Sequence, residues 1–174
     1  VELAKTKCCF RTKKILNRKI IGFDISVKRI NQLKSGIDNT NEMSKDILLD
    51  LRDEIQFTSN PNEIEGCDLF LITVPTPVDK FNMPIFEPLI SASKTLGKLL
   101  KTRFQLIEKD ENHNFTKPII IFESTVYPGA TEEKCVPIIE EESNFIYNQD
   151  FYCGYSPERI NPGDKEHTLT NIKK

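Results

Sequence analysis

The stretch DLFLITVPTP, Asp68–Pro77, decides the fold. Its first seven residues, Asp68–Val74, hold a continuous apolar run bounded by polar residues, the pattern of a buried strand in a parallel sheet. Val74–Pro77 then leaves that strand through two prolines that fix the backbone direction. Two further runs end in the same way. Pro118–Phe122 opens into ESTVYPG, Glu123–Gly129, and Phe151–Tyr155 opens into YSPERINPGD, Tyr155–Asp164. Three strand ends followed by polar side chains or tight turns predict a ligand cleft along the carboxyl edge of a parallel sheet.

Outward from these, KIIGFD at Lys19–Asp24 reads as a short buried strand ending in a carboxylate. Ser26 starts a helical pattern with Val27, Ile30 and Leu33 on one face and Gly36 as its stop. A weaker helical pattern covers Glu42–Glu54. Gln56–Ser59 is a candidate strand, and Asn60-Pro61 turns into a brief helix at Asn62–Glu65. Glu87–Lys101 is predicted helical, with Leu89, Ile90, Leu96, Leu99 and Leu100 at suitable spacing. Thr131–Glu142 is predicted as another helix, kinked or broken at Pro137. This alternation predicts an α/β fold: a Rossmann-like parallel sheet with helices on both faces and right-handed crossovers. Lys5–Arg18 and Thr102–Lys117 are unusually polar, and the second reads as an exposed, mobile loop.

Bulk properties narrow the function classes. The chain has 174 residues and a net charge of −2, so nothing electrostatic points to nucleic acid or a membrane surface as partner. The basic cluster at Lys5–Lys19 reads as a solvated face. No apolar run approaches the ~20 residues that span a bilayer. The five cysteines are odd in number and form no C-x-x-C pair, which suggests reduced thiols and a cytoplasmic setting. Vicinal Cys8–Cys9 has no suitably spaced His or carboxylate nearby, so no metal site is expected.

Each strand-end motif supports a chemistry and also a plainer reading. Asp24 at a strand end is placed to accept hydrogen bonds from ribose hydroxyls and to repel a 2′-phosphate; equally, it caps the Ser26 helix or ends a turn. Arg29 lies one turn into that helix, within reach of an adenine, or is simply an exposed helical arginine. Thr76 offers a hydroxyl between Pro75 and Pro77. Ser124 and Thr125 can hold a water or bond a nicotinamide, or cap the Thr131 helix. No G-x-S-x-G surrounds Ser124, which argues against a serine hydrolase. Pro157 holds Glu158 off a strand end, where a carboxylate can position a water as a base. Arg159 can pair with a phosphate or carboxylate; a surface Glu-Arg pair is the plainer reading. The seven glycines include no G-x-G-x-x-G, the turn that lets a backbone approach a pyrophosphate.

In order, GFD, ITVPTP, ESTVYPG and YSPERINPGDK resemble the N-terminal domain of the UDP-glucose/GDP-mannose dehydrogenase family, in its UDP-N-acetylhexosamine 6-dehydrogenase branch. The resemblance implies NAD as cofactor, with Asp24 and Arg29 on its adenosine part and Thr76 and Thr125 lining its site. It also implies that Thr125 helps hold a catalytic water, that Glu158 acts on that water and the sugar, and that Arg159 contacts the substrate. The UDP-glucose branch carries a second Glu where this chain has Pro162, which favours a UDP-N-acetylhexosamine substrate. The implied reaction is a double oxidation of the sugar C6 alcohol to a uronate through a cysteine thioester. The Cys, Lys and Asn it needs belong to a later domain of the family, and none of the five cysteines here fits that role. VELAK resembles the tail of the family's first helix. Residues 1–174 are therefore expected to form an incomplete NAD-binding domain, without first strand and glycine turn and with Lys5–Arg18 and Thr102–Lys117 as insertions. Such a piece is expected to be inactive alone; the alternative is a non-catalytic truncated paralogue that binds nucleotide sugar or an intact subunit. The full-length enzyme is expected to be a homodimer.

Overall fold

The computed structural model describes residues 19–40, 43–107 and 116–156. They fall into two compact units, one running to Ile64 and the other beginning at Glu65.

The first unit holds two parallel strands, β1 (Ile20–Phe23) and β2 (Ile55–Thr58), with Ile20 beside Ile55 and Phe23 beside Thr58. Between them run helices α1 (Val27–Lys34) and α2 (Lys45–Asp50), and a 3₁₀ turn at Pro61–Ile64 follows β2. Both helices start as their sequences dictate. Ser26 accepts the Arg29 amide at 3.2 Å and Ser44 accepts the Ile47 amide at 3.4 Å, each satisfying one orphan donor of the first turn. Gly36 ends α1 at φ 74°, where its amide bonds Leu33 O and the Ile37 amide bonds Gln32 O. That pair of bonds is the Schellman closure, which favours glycine because a Cβ is strained at positive φ. The helical reading of Glu42–Glu54 shrinks to Lys45–Asp50, since chain turns take over from Leu51. Leu51 and Ile55 form a small core, with Ile20, Ile47 and Phe57 against it.

The second unit is a three-stranded parallel sheet in the order β3–β4–β5: Leu69–Ile72, Ile119–Phe122 and Tyr152–Tyr155. One register row joins Leu69, Ile119 and Tyr152, and another joins Ile72, Phe122 and Tyr155. Because side chains alternate across a strand, Phe70, Ile120 and Phe122 share one face and are buried. Leu69, Ile119 and Tyr152 share the other and are 43%, 44% and 41% exposed. The continuous apolar runs thus bury one face in this unit, where the sequence suggested burial throughout.

Helix α3 (Glu87–Ile107) crosses from β3 to β4, and α4 (Val136–Ser143) crosses from β4 to β5. Leu89, Leu96 and Leu100 line the buried side of α3, with Val136 and Ile139 on α4 also buried. The Pro137 break is real: a π-helical turn, Thr131–Cys135, precedes α4, and Pro137 sits in the first turn of α4, where no donor is missed. The loop expected from Thr102 is corrected over its first six residues, because α3 continues to Ile107. Arg103 explains part of that extension. Its two terminal nitrogens donate to Cys67 O at 2.6 Å and Asp68 Oδ1 at 2.7 Å, and Phe104 meets Phe145 edge-on at 5.4 Å. Among the described residues no helix is long and apolar enough to cross a membrane.

Gly97 lets the two helices meet. A Cβ there would lie 2.6 Å from Glu142 Cβ and 3.1 Å from Ile139 O. Gly97→Ala should therefore destabilise the protein by about 1–3 kcal/mol through overpacking, outweighing the ~1 kcal/mol that alanine gains in helix propensity. Thermal melting checks this: a melting temperature equal to or above wild type would mean that the helices separate without cost.

Candidate functional site

In the first unit the site residues gather where β1 meets α1. The Asp24 amide continues the ladder by donating to Thr58 O at 3.2 Å. Its carboxylate Oδ1 accepts the Ser26 amide at 2.7 Å, so the plainer turn-forming reading is correct for that oxygen. Oδ2 has no protein partner among the described residues and remains an acceptor at the strand end. Ser26 links Asp24 to Arg29, whose amide it caps.

Arg29 is not the loosely solvated side chain that an exposed helical arginine would be. Its Nη2 donates to Asp38 Oδ1 at 2.6 Å, and the two side chains are 26% and 3% exposed. Asp38 also accepts from the Thr40 amide at 3.2 Å, the Thr40 hydroxyl at 2.8 Å and the Met43 amide at 3.0 Å. Burial alone would push the Asp38 carboxyl up. The bonds from Arg29, Thr40 and Met43 outweigh it and hold the group well below the usual carboxylate range. Arg29 Nη1 is buried without a partner among the described residues. A buried donor left unsatisfied costs about 1–3 kcal/mol, so the guanidinium is one acceptor short.

In the second unit the three strand ends lie side by side. Glu123 N donates to Ile72 O and Ser156 N to Phe122 O, both at 2.9 Å, which carries the ladder one step beyond the strands. Thr76 follows β3 by four residues and Thr125 follows β4 by three. The Ser124 hydroxyl, offered above as a water or nicotinamide ligand, instead donates to Val74 O at 2.5 Å. It is 5% exposed and clips the two loops together, while Thr125 is exposed and Thr76 half-buried. Neither threonine hydroxyl is taken by a bond among the described residues. The alternative that Ser124 or Thr125 caps the Thr131 turn does not hold, because its cap is Ala130 without a side-chain bond. Glu158 and Arg159 lie outside the described residues.

Two features escaped the sequence. Asp38 carries no motif, and its partner is nine residues away. The VPTP exit is not a plain departure from the sheet either. Pro77–Ile85 folds back as a hairpin, with Ile85 N on Pro77 O at 2.8 Å and Asp79 Oδ1 accepting the Phe81 and Met83 amides. The Asp79–Asn82 turn residues were the available signal. A hollow of about 440 Å³ lined by Lys19, Ile20, Leu33, Arg52 and Glu54 lies at the opposite end of β1 from Asp24 and touches none of these residues.

Cys135 and Cys153 are poor nucleophiles. Burial pushes the Cys153 thiol up to about 12, and burial raises Cys135 as well despite the neighbouring Ser93 hydroxyl. Reactive thiolates need the reverse shift.

Comparison with known proteins adds a family. Residues 5–174 match the model of the UDP-glucose/GDP-mannose dehydrogenase family, NAD binding domain. The UDP-N-acetyl-D-glucosamine 6-dehydrogenase of Salmonella typhi is 47% identical over 158 residues, covering 91% of this chain and 34% of that protein. The enzyme of the same name from Pseudomonas aeruginosa is 46% identical over 157 residues, covering 90% and 34%. The chain thus spans about a third of the length of the curated relatives it matches. A ternary complex of GDP-mannose dehydrogenase from Pseudomonas aeruginosa superposes with a TM-score of 0.70 at 21% identity, covering 84% of this chain and 32% of that one. A UDP-D-ManNAc dehydrogenase from Pyrococcus horikoshii does so with 0.66 at 24% identity and the same coverage. These two likenesses concern the fold, the Rossmann-like α/β arrangement expected from the sequence.

Proposed function

Because the chain belongs to the UDP-glucose/GDP-mannose dehydrogenase family, over its NAD-binding domain, we propose that it is the cofactor-binding part of an enzyme oxidising the C6 alcohol of a UDP-N-acetylhexosamine to a uronate. The observation that carries the reading is the 47% identity to a UDP-N-acetyl-D-glucosamine 6-dehydrogenase over 91% of the chain. The residues fit the cofactor. Asp24 Oδ2 would accept from the adenosine ribose, and the Arg29 side chain would lie on the adenine side. Thr76 and Thr125 would line the nicotinamide end. NAD, when bound, supplies the hydride acceptor. Thr125 and Glu158 would hold and activate the water, and Arg159 would meet the substrate's charge.

The enzyme is assigned to the cytoplasm, a setting that the reduced thiols Cys67, Cys135 and Cys153 support. The family resemblance also implies a homodimer. The raised thiols of Cys135 and Cys153 favour a second reading for the 174 residues alone: they bind nucleotide or an intact subunit without turnover, since neither of these two cysteines favours its thiolate.

Titration calorimetry tests the cofactor assignment. Asp24→Ala should weaken NAD⁺ binding by about ten- to a hundredfold, the range for losing hydrogen bonds to a charged acceptor. An unchanged affinity would remove Asp24 from the site. NADH formation with UDP-glucose but not with UDP-N-acetylglucosamine or UDP-N-acetylmannosamine would sink the substrate assignment.

A further inference from the structure

We propose that Asp38 determines the choice of NAD over NADP, by cancelling the charge of Arg29 while leaving that arginine a hydrogen-bond donor. The proposal rests on the reading that Asp24 and Arg29 face the adenosine half of the cofactor. Arginine beside a ribose-binding strand end is ordinarily the device that accommodates a 2′-phosphate. Here it cannot act as an unpaired cation. Its Nη2 lies 2.6 Å from Asp38 Oδ1, and Asp38 is 3% exposed.

The pairing is built to persist. The Thr40 amide and hydroxyl and the Met43 amide all donate to the same carboxylate. Asp38 therefore cannot swing aside to release the guanidinium when a phosphate arrives. What Arg29 still presents is the exposed part of its side chain, 26% of it. A neutral ion pair there suits an uncharged neighbour, such as an adenine ring or a ribose hydroxyl. A 2′-phosphate brings up to about two negative charges. It would meet no net positive charge at Arg29, and would meet the Asp24 carboxylate as well. Asp24 acts by repulsion and Asp38 by removing the attraction, and specificity commonly combines both.

The test measures the dissociation constants of NAD⁺ and NADP⁺ on the full chain by calorimetry at one ionic strength. Wild type should bind NAD⁺ with a clear preference. Asp38→Asn keeps the size of the side chain and an acceptor oxygen but removes the charge. It should improve NADP⁺ affinity about tenfold relative to NAD⁺ through the unpaired guanidinium. Arg29→Leu in the Asp38→Asn background should abolish that gain, because the gain acts through Arg29. A ratio within twofold of wild type in Asp38→Asn would overturn the proposal, as would parallel weakening of both cofactors, which marks a purely structural carboxylate. If wild type binds NAD⁺ and only the ratio fails to move, the cofactor reading stands and the role of Asp38 falls. If wild type binds neither, both fall. Should Asp38→Asn not fold, the pair deletion R29L/D38L decides. A neutral pair predicts a ratio within about twofold of wild type, whereas a tenfold loss confined to NADP⁺ would show that Arg29 acts as an unpaired cation.

Discussion

Replacing Phe122 by alanine is expected to lower the unfolding free energy by about 3–5 kcal/mol, the range for deleting a fully buried aromatic ring. Phe122 is 1% exposed in β4, the middle strand of its sheet, on the face that also buries Phe70 and Ile120. Domains of this size are stable by about 5–15 kcal/mol in total, so the loss is a large fraction of what exists. The consequence reaches the site directly. Phe122 is followed at once by Glu123, Ser124 and Thr125, and its carbonyl accepts the Ser156 amide at the end of β5. A cavity at this position would loosen the clip that orients Thr125 before it unfolded the sheet. Leu69→Ala is the internal control. Leu69 lies in the same sheet on the face that is 43% exposed, and should cost below about 1 kcal/mol. Urea denaturation followed by circular dichroism measures both. Equal costs for the two would contradict the one-sided burial of the sheet.

That contrast also explains how far the sequence could be read. The strands were legible because apolar runs bounded by polar residues have few other uses, and the three carboxyl-end motifs follow from them. The two faces of the sheet were not, because the strand residues LFLI and IIIF are apolar at every position and period-2 burial leaves no trace in such a run. The end of α3 was hidden for another reason. TRFQLI is polar enough to pass for a loop, and Arg103 is held by Cys67 and Asp68, partners 36 and 35 residues away. Asp38 was invisible on the same grounds: an Asp after a helix-ending glycine is an ordinary loop residue until its carboxylate is seen around Arg29. Ser124 allows two local readings, a ligand or a helix cap, and its hydroxyl instead closes the gap between two loops. Local chemistry proposes which groups are available, but tertiary contacts decide which of them are left over for a ligand.

Glu158→Gln is expected to reduce turnover of the proposed dehydrogenase by about 10²–10⁴-fold while leaving NAD⁺ affinity within about threefold. Tyr155 and Phe122 are register partners on neighbouring parallel strands, so Glu158 follows its strand by the same three residues as Thr125 follows β4. In sequence, the carboxylate and the hydroxyl thus stand equally far from the ends of two paired strands, and the proposed reading gives them one shared water. Glutamine preserves the size and one acceptor of the side chain but cannot take the proton that the attacking water must lose, so the loss should appear in kcat and little in KM. Adenosine binding is assigned to Asp24 and Arg29, in the other unit, which is why the cofactor constant should hold. Steady-state NADH formation with UDP-N-acetylglucosamine and with UDP-N-acetylmannosamine measures the first quantity, and calorimetry the second. Turnover within threefold of wild type would remove Glu158 from the reaction and return SPER to a surface turn. A matching loss of NAD⁺ affinity would instead make Glu158 a binding residue, with Thr125 left to hold the water alone.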